Sequence, residues 1–86
     1  MPRICEFSGI EIYMYHSEHA PPHFHALYAE FEAEFEIGRP SKVDGFIPPR
    51  QRRLVQRWAR LHADELMANW NSARNFAPLT RIEPLA

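Results

Sequence analysis

The strict alternation of apolar and acidic residues at positions 31–37 constrains the fold more than any other feature of the chain. On an extended strand, one side carries Phe31, Ala33, Phe35 and Ile37, and the other carries Glu32, Glu34 and Glu36. Residues 23–29 form another extended run just before it, so the two runs predict a tight antiparallel hairpin. If the aromatic residues of the first run share the apolar side, His23 and His25 lie on the glutamate side.

Turn signals and a second periodicity complete the predicted fold. Residues 4–7 and 10–16 are predicted as strands, 17–22 as a proline-restrained loop, 38–40 as a breaker and 43–47 as a brief strand. Helical spacing after Pro49 then aligns one apolar face: Val55, Trp58, Ala59, His62, Leu66, Trp70 and Ala73. We therefore expect an α+β fold, in which a small antiparallel β-sheet of three to five strands packs against one long C-terminal α-helix. We predict a single domain over residues 1–86, with the sheet in 1–47, the helix in 49–75, and 78–86 as a tail or edge strand.

Length and charge restrict the function classes. The chain has 86 residues and one cysteine, so no disulfide forms within it, which is typical of a reducing cytoplasm. No segment approaches the roughly 20 apolar residues of a membrane span, and we expect a cytoplasmic protein with no membrane partner. The net charge of −1 conceals an acidic first part and a basic second part, which carries seven of the arginines. This polarity suits a protein partner at least as well as nucleic acid.

The segment 19–25, His-Ala-Pro-Pro-His-Phe-His, holds three of the five histidines. On a strand, His23 and His25 project from one face about 7 Å apart. Two imidazoles supply half of a tetrahedral zinc site, with His19 as the next candidate ligand and His16, Glu18 or the glutamate row as others. Three interpretations stay open: structural hydrogen bonding, a metal or ligand site, and acid–base catalysis. Because the ligand set is incomplete, we predict no cofactor.

His62 lies within the apolar face of the predicted helix and should point at the sheet. A buried imidazole needs a hydrogen-bond acceptor, so a core histidine bonded to a carbonyl is one interpretation. The other is that His62 meets His23 and His25 in a three-imidazole cluster, which makes all three candidate catalytic residues.

A basic stripe forms the main candidate binding surface on the helix. Arg53, Arg57 and Arg60 recur at i, i+4 and i+7 and therefore share one side. Such a stripe is either a solvated face or a surface for a protein or nucleic acid. Together with the acidic face made by Glu32, Glu34 and Glu36, it gives two predicted contact surfaces.

Several segments together resemble a known family. They are Met-Pro-Arg-Ile at 1–4, Phe7-x-Gly9-Ile10, Met14-Tyr15, His19-x-Pro-Pro-His-Phe-His25, Leu61-His62-x-x-Glu65-Leu66-x-x-Asn69-Trp70, and Ile82-Glu83-Pro84-Leu85. The set is similar to the small bacterial family called domain of unknown function forty-one sixty, and the Pro-Pro-His-x-His block is its most specific part. The resemblance implies a stand-alone bacterial protein, often encoded beside a second small domain of unknown function in an arrangement like a toxin–antitoxin pair. It supplies no substrate, cofactor or catalytic residue.

The leading functional prediction is a small bacterial protein-interaction module, one member of a toxin–antitoxin-like or regulatory pair, with a small protein partner encoded nearby. One alternative is a metal-independent ribonuclease toxin in which His23 and His25 act as general base and acid, with an arginine stabilising the phosphorane charge. Another is a metal-binding module built on the same histidine pair. Whether the chain is an enzyme, forms a homo-oligomer or binds nucleic acid stays open.

Overall fold

Five antiparallel strands in chain order form the sheet of the computed structural model, which describes residues 3–86. The strands are β1 (Arg3–Phe7), β2 (Ile10–Tyr13), β3 (His23–Tyr28), β4 (Phe31–Glu36) and β5 (Arg39–Phe46). Met1 and Pro2, which begin the first segment quoted for the family resemblance, lie outside the described residues. Each strand pairs with the next along the chain, so the sheet is a meander, and the prediction of three to five antiparallel strands is confirmed.

The β3–β4 hairpin has the register that the alternation predicts. Phe24 lies opposite Phe35, and their rings stack with centroids 5.5 Å apart. The Phe24 ring also meets Trp58 of the first helix edge-on at 5.7 Å, so these residues form the core between sheet and helices. On the other side of the hairpin, His25 lies opposite Glu34. Because side chains alternate along a strand, burial of the aromatic residues places the histidines and glutamates together on the opposite face.

The helical region contains two helices, α1 (Pro49–Leu61) and α2 (Ala63–Arg74), so the prediction of one long C-terminal helix is wrong. The chain leaves helical geometry at His62, whose φ is −119° and ψ is 27°. Neither helix is long and apolar enough to cross a membrane, and residues 3–86 contain no other helix.

Charge explains why a helix ends and another begins at this point. Arg60 lies in the last turn of α1, where a cation stabilises the helix dipole, and Asp64 and Glu65 lie in the first turn of α2, where anions do so. The ring Nδ1–H of His62 donates to Oε1 of Glu65 at 2.5 Å, which holds the histidine at the junction. The apolar spacing runs through the junction without a break and gives no sign of it.

Two smaller differences concern β5 and the tail. β5 begins at Arg39, earlier than predicted, and includes Pro40 in an irregular stretch of this edge strand, where a missing N–H is tolerated. The tail forms no strand within the described residues. Instead, the Ile82 backbone N–H donates to the Ile4 carbonyl at 2.9 Å, and the Trp58 indole N–H donates to the Glu83 carbonyl at 2.8 Å. The tail therefore lies against β1 and α1.

Candidate metal centre

Two histidines of β3 and one glutamate of the preceding loop meet on the side of the hairpin that carries the β4 glutamates, and the His23 ring also packs against the buried Trp70 of α2 at a centroid distance of 5.3 Å. The imidazole rings of His23 and His25 have centroids 5.3 Å apart, as expected for alternate residues of one strand. The loop between β2 and β3 places the Glu18 carboxylate against both rings. One ligand atom from each of the three residues lies within 4.8 Å of the other two.

His25 is held between two carboxylates. Its Nε2 lies 2.5 Å from Glu18 Oε1, and its Nδ1 lies 3.3 Å from Glu32 Oε2. Only 8% of the residue is exposed, and the Tyr15 ring packs against the imidazole at a centroid distance of 4.6 Å. The contacts with Glu18 and Tyr15 restrict the ring, and Nδ1 is buried without a hydrogen-bond partner among the described residues.

His23 has one nitrogen satisfied and one left without a hydrogen bond. Its Nδ1–H donates to the Pro21 carbonyl at 2.8 Å, so in the neutral ring Nε2 carries a lone pair. That Nε2 atom is buried without a hydrogen-bond partner, 3.4 Å from Glu18 Oε1 and 3.3 Å from Glu34 Oε1. A lone pair that faces two carboxylate oxygens is repelled by both. A positive charge between these atoms, either a proton or a metal cation, removes the repulsion.

Two distances around His23 Nε2 are compatible with a metal coordination shell as well as with ion pairs. Zinc–ligand bonds of about 2.0–2.1 Å at tetrahedral angles place neighbouring ligand atoms about 3.3 Å apart. The separations of His23 Nε2 from Glu18 and Glu34 fit this spacing. The His25–Glu18 separation of 2.5 Å is shorter and would have to widen by a side-chain adjustment.

His23 has a hydrogen-bond acceptor behind its ring, whereas His25 has only a nearby carboxylate there. Metal-bound histidines usually donate their second ring N–H to a carbonyl or carboxylate, which fixes the tautomer and the ring orientation. The Pro21 carbonyl accepts from His23, and Glu32 is 3.3 Å from Nδ1 of His25. Nε2 of His23 therefore faces the cluster without a hydrogen bond, whereas Nε2 of His25 is bonded to Glu18 and Nδ1 of His25 has no hydrogen-bond partner within residues 3–86.

A hydroxyl group adjoins this cluster. Burial raises the pKa of Tyr15 above the ordinary tyrosine value, and the nearby negative charge of Glu32 raises it further. The Tyr15 hydroxyl therefore stays protonated near neutral pH and adds no charge beside the histidines.

The structure does not bring the other candidate histidines into this group. His19 is exposed and lines an adjacent cavity of about 240 Å³ together with His23 and Glu34. His62 is bonded to Glu65 at the helix junction, and its ring packs on Trp58 at 5.7 Å. In the described part of the chain, the group able to hold a metal consists of one glutamate and two histidines.

The predicted contact surfaces lie apart from one another. The three glutamates of β4 lie on the same sheet face as the histidines, and Glu34 is directly opposite Asp44 of β5. Arg53, Arg57 and Arg60 are exposed on α1 and line a separate cavity. The arginines therefore do not contribute to the histidine cluster.

Glu18 and Tyr15 are the site residues whose positions the sequence does not determine. Glu18 was one of several candidate ligands, and loop residues follow no periodicity that could select it. Tyr15 lies two residues after Tyr13, the last paired residue of β2, and its place against His25 depends on how the chain leaves the sheet.

Comparison with known proteins identifies the family. A family model described as a domain of unknown function, DUF4160, matches residues 9–71. This span includes all three candidate ligands, the hairpin and α1. No curated protein and no solved structure matches the chain. Because the match covers well over half of the sequence, the chain belongs to the DUF4160 family.

Proposed function

We propose that this protein is a metal-binding domain that holds one divalent transition metal, zinc in the first instance, through Glu18, His23 and His25. The observation that carries the proposal is the buried His23 Nε2. The other ring nitrogen of His23, Nδ1, donates its hydrogen to the Pro21 carbonyl. Nε2 faces one carboxylate oxygen of Glu18 and one of Glu34 and forms no hydrogen bond to either.

The donor set favours zinc over magnesium or calcium. Two imidazole nitrogens and one carboxylate oxygen suit zinc and related transition metals, whereas magnesium and calcium prefer oxygen ligands. Three protein ligands also leave one coordination position of a tetrahedral ion open. Glu34, which lies 3.3 Å from His23 Nε2, or a ligand entering from the adjacent cavity, would fill it.

Zinc titration of tag-free protein tests this function. Calorimetry and equilibrium dialysis should give one zinc per chain, and either Glu18→Gln or His23→Ala should abolish stoichiometric binding. His19→Ala is the matched control, because His19 is an exposed histidine of the same loop outside the ligand group. Absence of stoichiometric zinc in the parent protein, or equal zinc binding in His23→Ala, contradicts the proposal and favours histidine–glutamate contacts with a structural role.

A second candidate function is binding of a protein partner, as one component of a toxin–antitoxin-like or regulatory pair. The separation of charge supports it, because three arginines that form no ion pair within residues 3–86 share one helix, and the β4 glutamates share one face of the sheet. Affinity capture from the native host, followed by reconstitution of the complex from purified components, tests this function. Failure to reconstitute any complex counts against it.

The ribonuclease alternative is less compatible with the local charge. A phosphodiester approaching His23 and His25 would meet the carboxylates of Glu18, Glu32 and Glu34, all within 3.4 Å of an imidazole nitrogen. These anions repel a phosphate.

A further inference from the structure

Helix α1 carries an unusual concentration of positive charge. Its sequence, Pro-Arg-Gln-Arg-Arg-Leu-Val-Gln-Arg-Trp-Ala-Arg-Leu, contains five arginines and no acidic residue. Arg53 and Arg57 are separated by one helical turn, and so are Arg57 and Arg60. Like charges at these spacings destabilise a helix by about 0.2–0.5 kcal/mol for each pair. The stability of the helix alone therefore does not account for the positive charge on the surface of α1.

Intramolecular ion pairs do not neutralise this charge. Within residues 3–86, the arginines that form salt bridges are Arg3 and Arg39, both in the sheet. Arg53, Arg57 and Arg60 are exposed, and none of the described carboxylates lies within ion-pair distance of them. Their guanidinium groups are free to contact an anionic partner.

The arginines surround an apolar side chain in a shallow groove. A cavity of about 450 Å³ is lined by Arg53, Gln56, Arg57, Arg60 and Leu61. Leu61 is 67% exposed, and the Gln56 side chain is anchored by donation to the Pro40 carbonyl at 3.1 Å. The groove thus offers guanidinium groups along one side and an apolar contact at the C-terminal end of α1.

We propose that this groove binds an acidic protein segment, in which carboxylates on successive helical turns pair with Arg53, Arg57 and Arg60 and an apolar side chain covers Leu61. The charge complementarity selects an anionic partner. Leu61 favours a protein over a nucleic acid, and none of the groove-lining residues is aromatic, whereas single-stranded nucleic acids are usually held by base stacking on aromatic rings. The proposal rests on the partner-binding function and specifies its surface, and it is independent of the metal centre.

A fluorescence-anisotropy titration tests the proposal with a defined probe. The probe is a labelled helical peptide bearing glutamates at i, i+4 and i+7 and one leucine beside them. Binding should weaken as salt is raised, since exposed ion pairs are screened. The double variant Arg57→Glu/Arg60→Glu should bind about tenfold more weakly or worse, which corresponds to about 1.4 kcal/mol. Leu61→Ser should weaken binding several-fold without changing its salt dependence.

The control is Arg81→Glu, which reverses the charge of one exposed arginine of the tail and is compared with the single variants Arg57→Glu and Arg60→Glu. It should leave peptide binding unchanged if the groove is the site. Equal weakening by Arg81→Glu, no binding of the peptide, or tighter binding of a single-stranded RNA of equal charge overturns the proposal. Arginine-dependent dimerisation in light scattering also overturns it, because the occupant is then a second copy. If the double variant still forms the reconstituted native complex, the groove is not the binding surface, although the partner-binding function itself stands.

Discussion

Zinc should raise the thermal stability of this protein strongly, and the effect should depend on His23. A ligand that binds only the folded chain stabilises it by about 2.7 kcal/mol when its free concentration is 100 times the dissociation constant. For a domain of 60–100 residues, each kcal/mol shifts the melting temperature by about 4–8 °C. The expected rise is therefore about 10–20 °C at that zinc concentration.

The structure indicates why most of this rise should appear. Glu18 reaches the histidines only when the loop folds back over β3, and Nε2 of His23 is oriented by the Pro21 carbonyl. The unfolded chain has no such arrangement, although the short spacing from 18 to 25 leaves it some affinity for zinc. Residual binding to the unfolded chain reduces the shift, so the calculated value is an upper estimate.

The measurement is a thermal melt followed by circular dichroism, with and without zinc, on tag-free protein. His23→Ala and Glu18→Gln should lose nearly the whole zinc-induced shift, whereas His19→Ala should keep it. An equal shift in His23→Ala and the parent protein would refute the assignment of the ligands. A shift lost in His19→Ala but kept in Glu18→Gln would refute the loop geometry instead.

Three further predictions follow from single residues. Glu32→Gln should weaken zinc binding by about 10–100-fold if metal binding draws the Glu32 carboxylate, now 3.3 Å away, into a hydrogen bond with Nδ1 of His25; calorimetry checks this against Glu30→Gln at the exposed hairpin turn. Phe24→Ala should cost about 3–5 kcal/mol of unfolding free energy in a urea titration, since Phe24 is fully buried, and a much smaller loss would contradict the described core. Burial raises the folded-state pKa of Tyr15, so the folded chain holds its proton longer and stability should fall as pH rises above about 10. Tyr15→Phe should make that alkaline loss shallower, and an unchanged slope would contradict the burial of the hydroxyl.

The hairpin and the helix break differ in how much of each the sequence reveals. In β4 every second residue is apolar, and a slip of one residue against β3 would expose Phe35 and bury the glutamates, so the pairing is predictable. At the helix break, by contrast, apolar residues continue at helical spacing through His62. The signal for the break is electrostatic, in the change from Arg60 to Asp64, and periodicity does not detect it.

Among the proposed metal ligands, the two histidines follow from strand periodicity, whereas the loop residue does not. His23 and His25 share a face because strands have a period of two, and this holds wherever the strand lies. The conformation of a loop depends on tertiary contacts, so the sequence provides Glu18 and His19 as neighbours without indicating which turns inward. The helical spacing predicts that His62 points inward, and its ring does pack on the buried Trp58. Its hydrogen bond, however, goes to Glu65 at the helix break, which the spacing does not reveal.

Negative charge is concentrated on the sheet face that carries the β4 glutamates, where the proposed metal centre lies. Glu34 lies directly opposite Asp44, and like charges in that arrangement destabilise a strand pair by a few tenths of a kcal/mol to about 1 kcal/mol. Protons on the histidines or a metal ion would each offset this repulsion. Two histidine–glutamate ion pairs, however, do not require a particular tautomer of His23. In the structure, the Pro21 carbonyl accepts the Nδ1–H of His23, and Nε2 is buried facing the Glu18 carboxylate. That arrangement is what a metal ligand needs, because it fixes the tautomer before the ion binds.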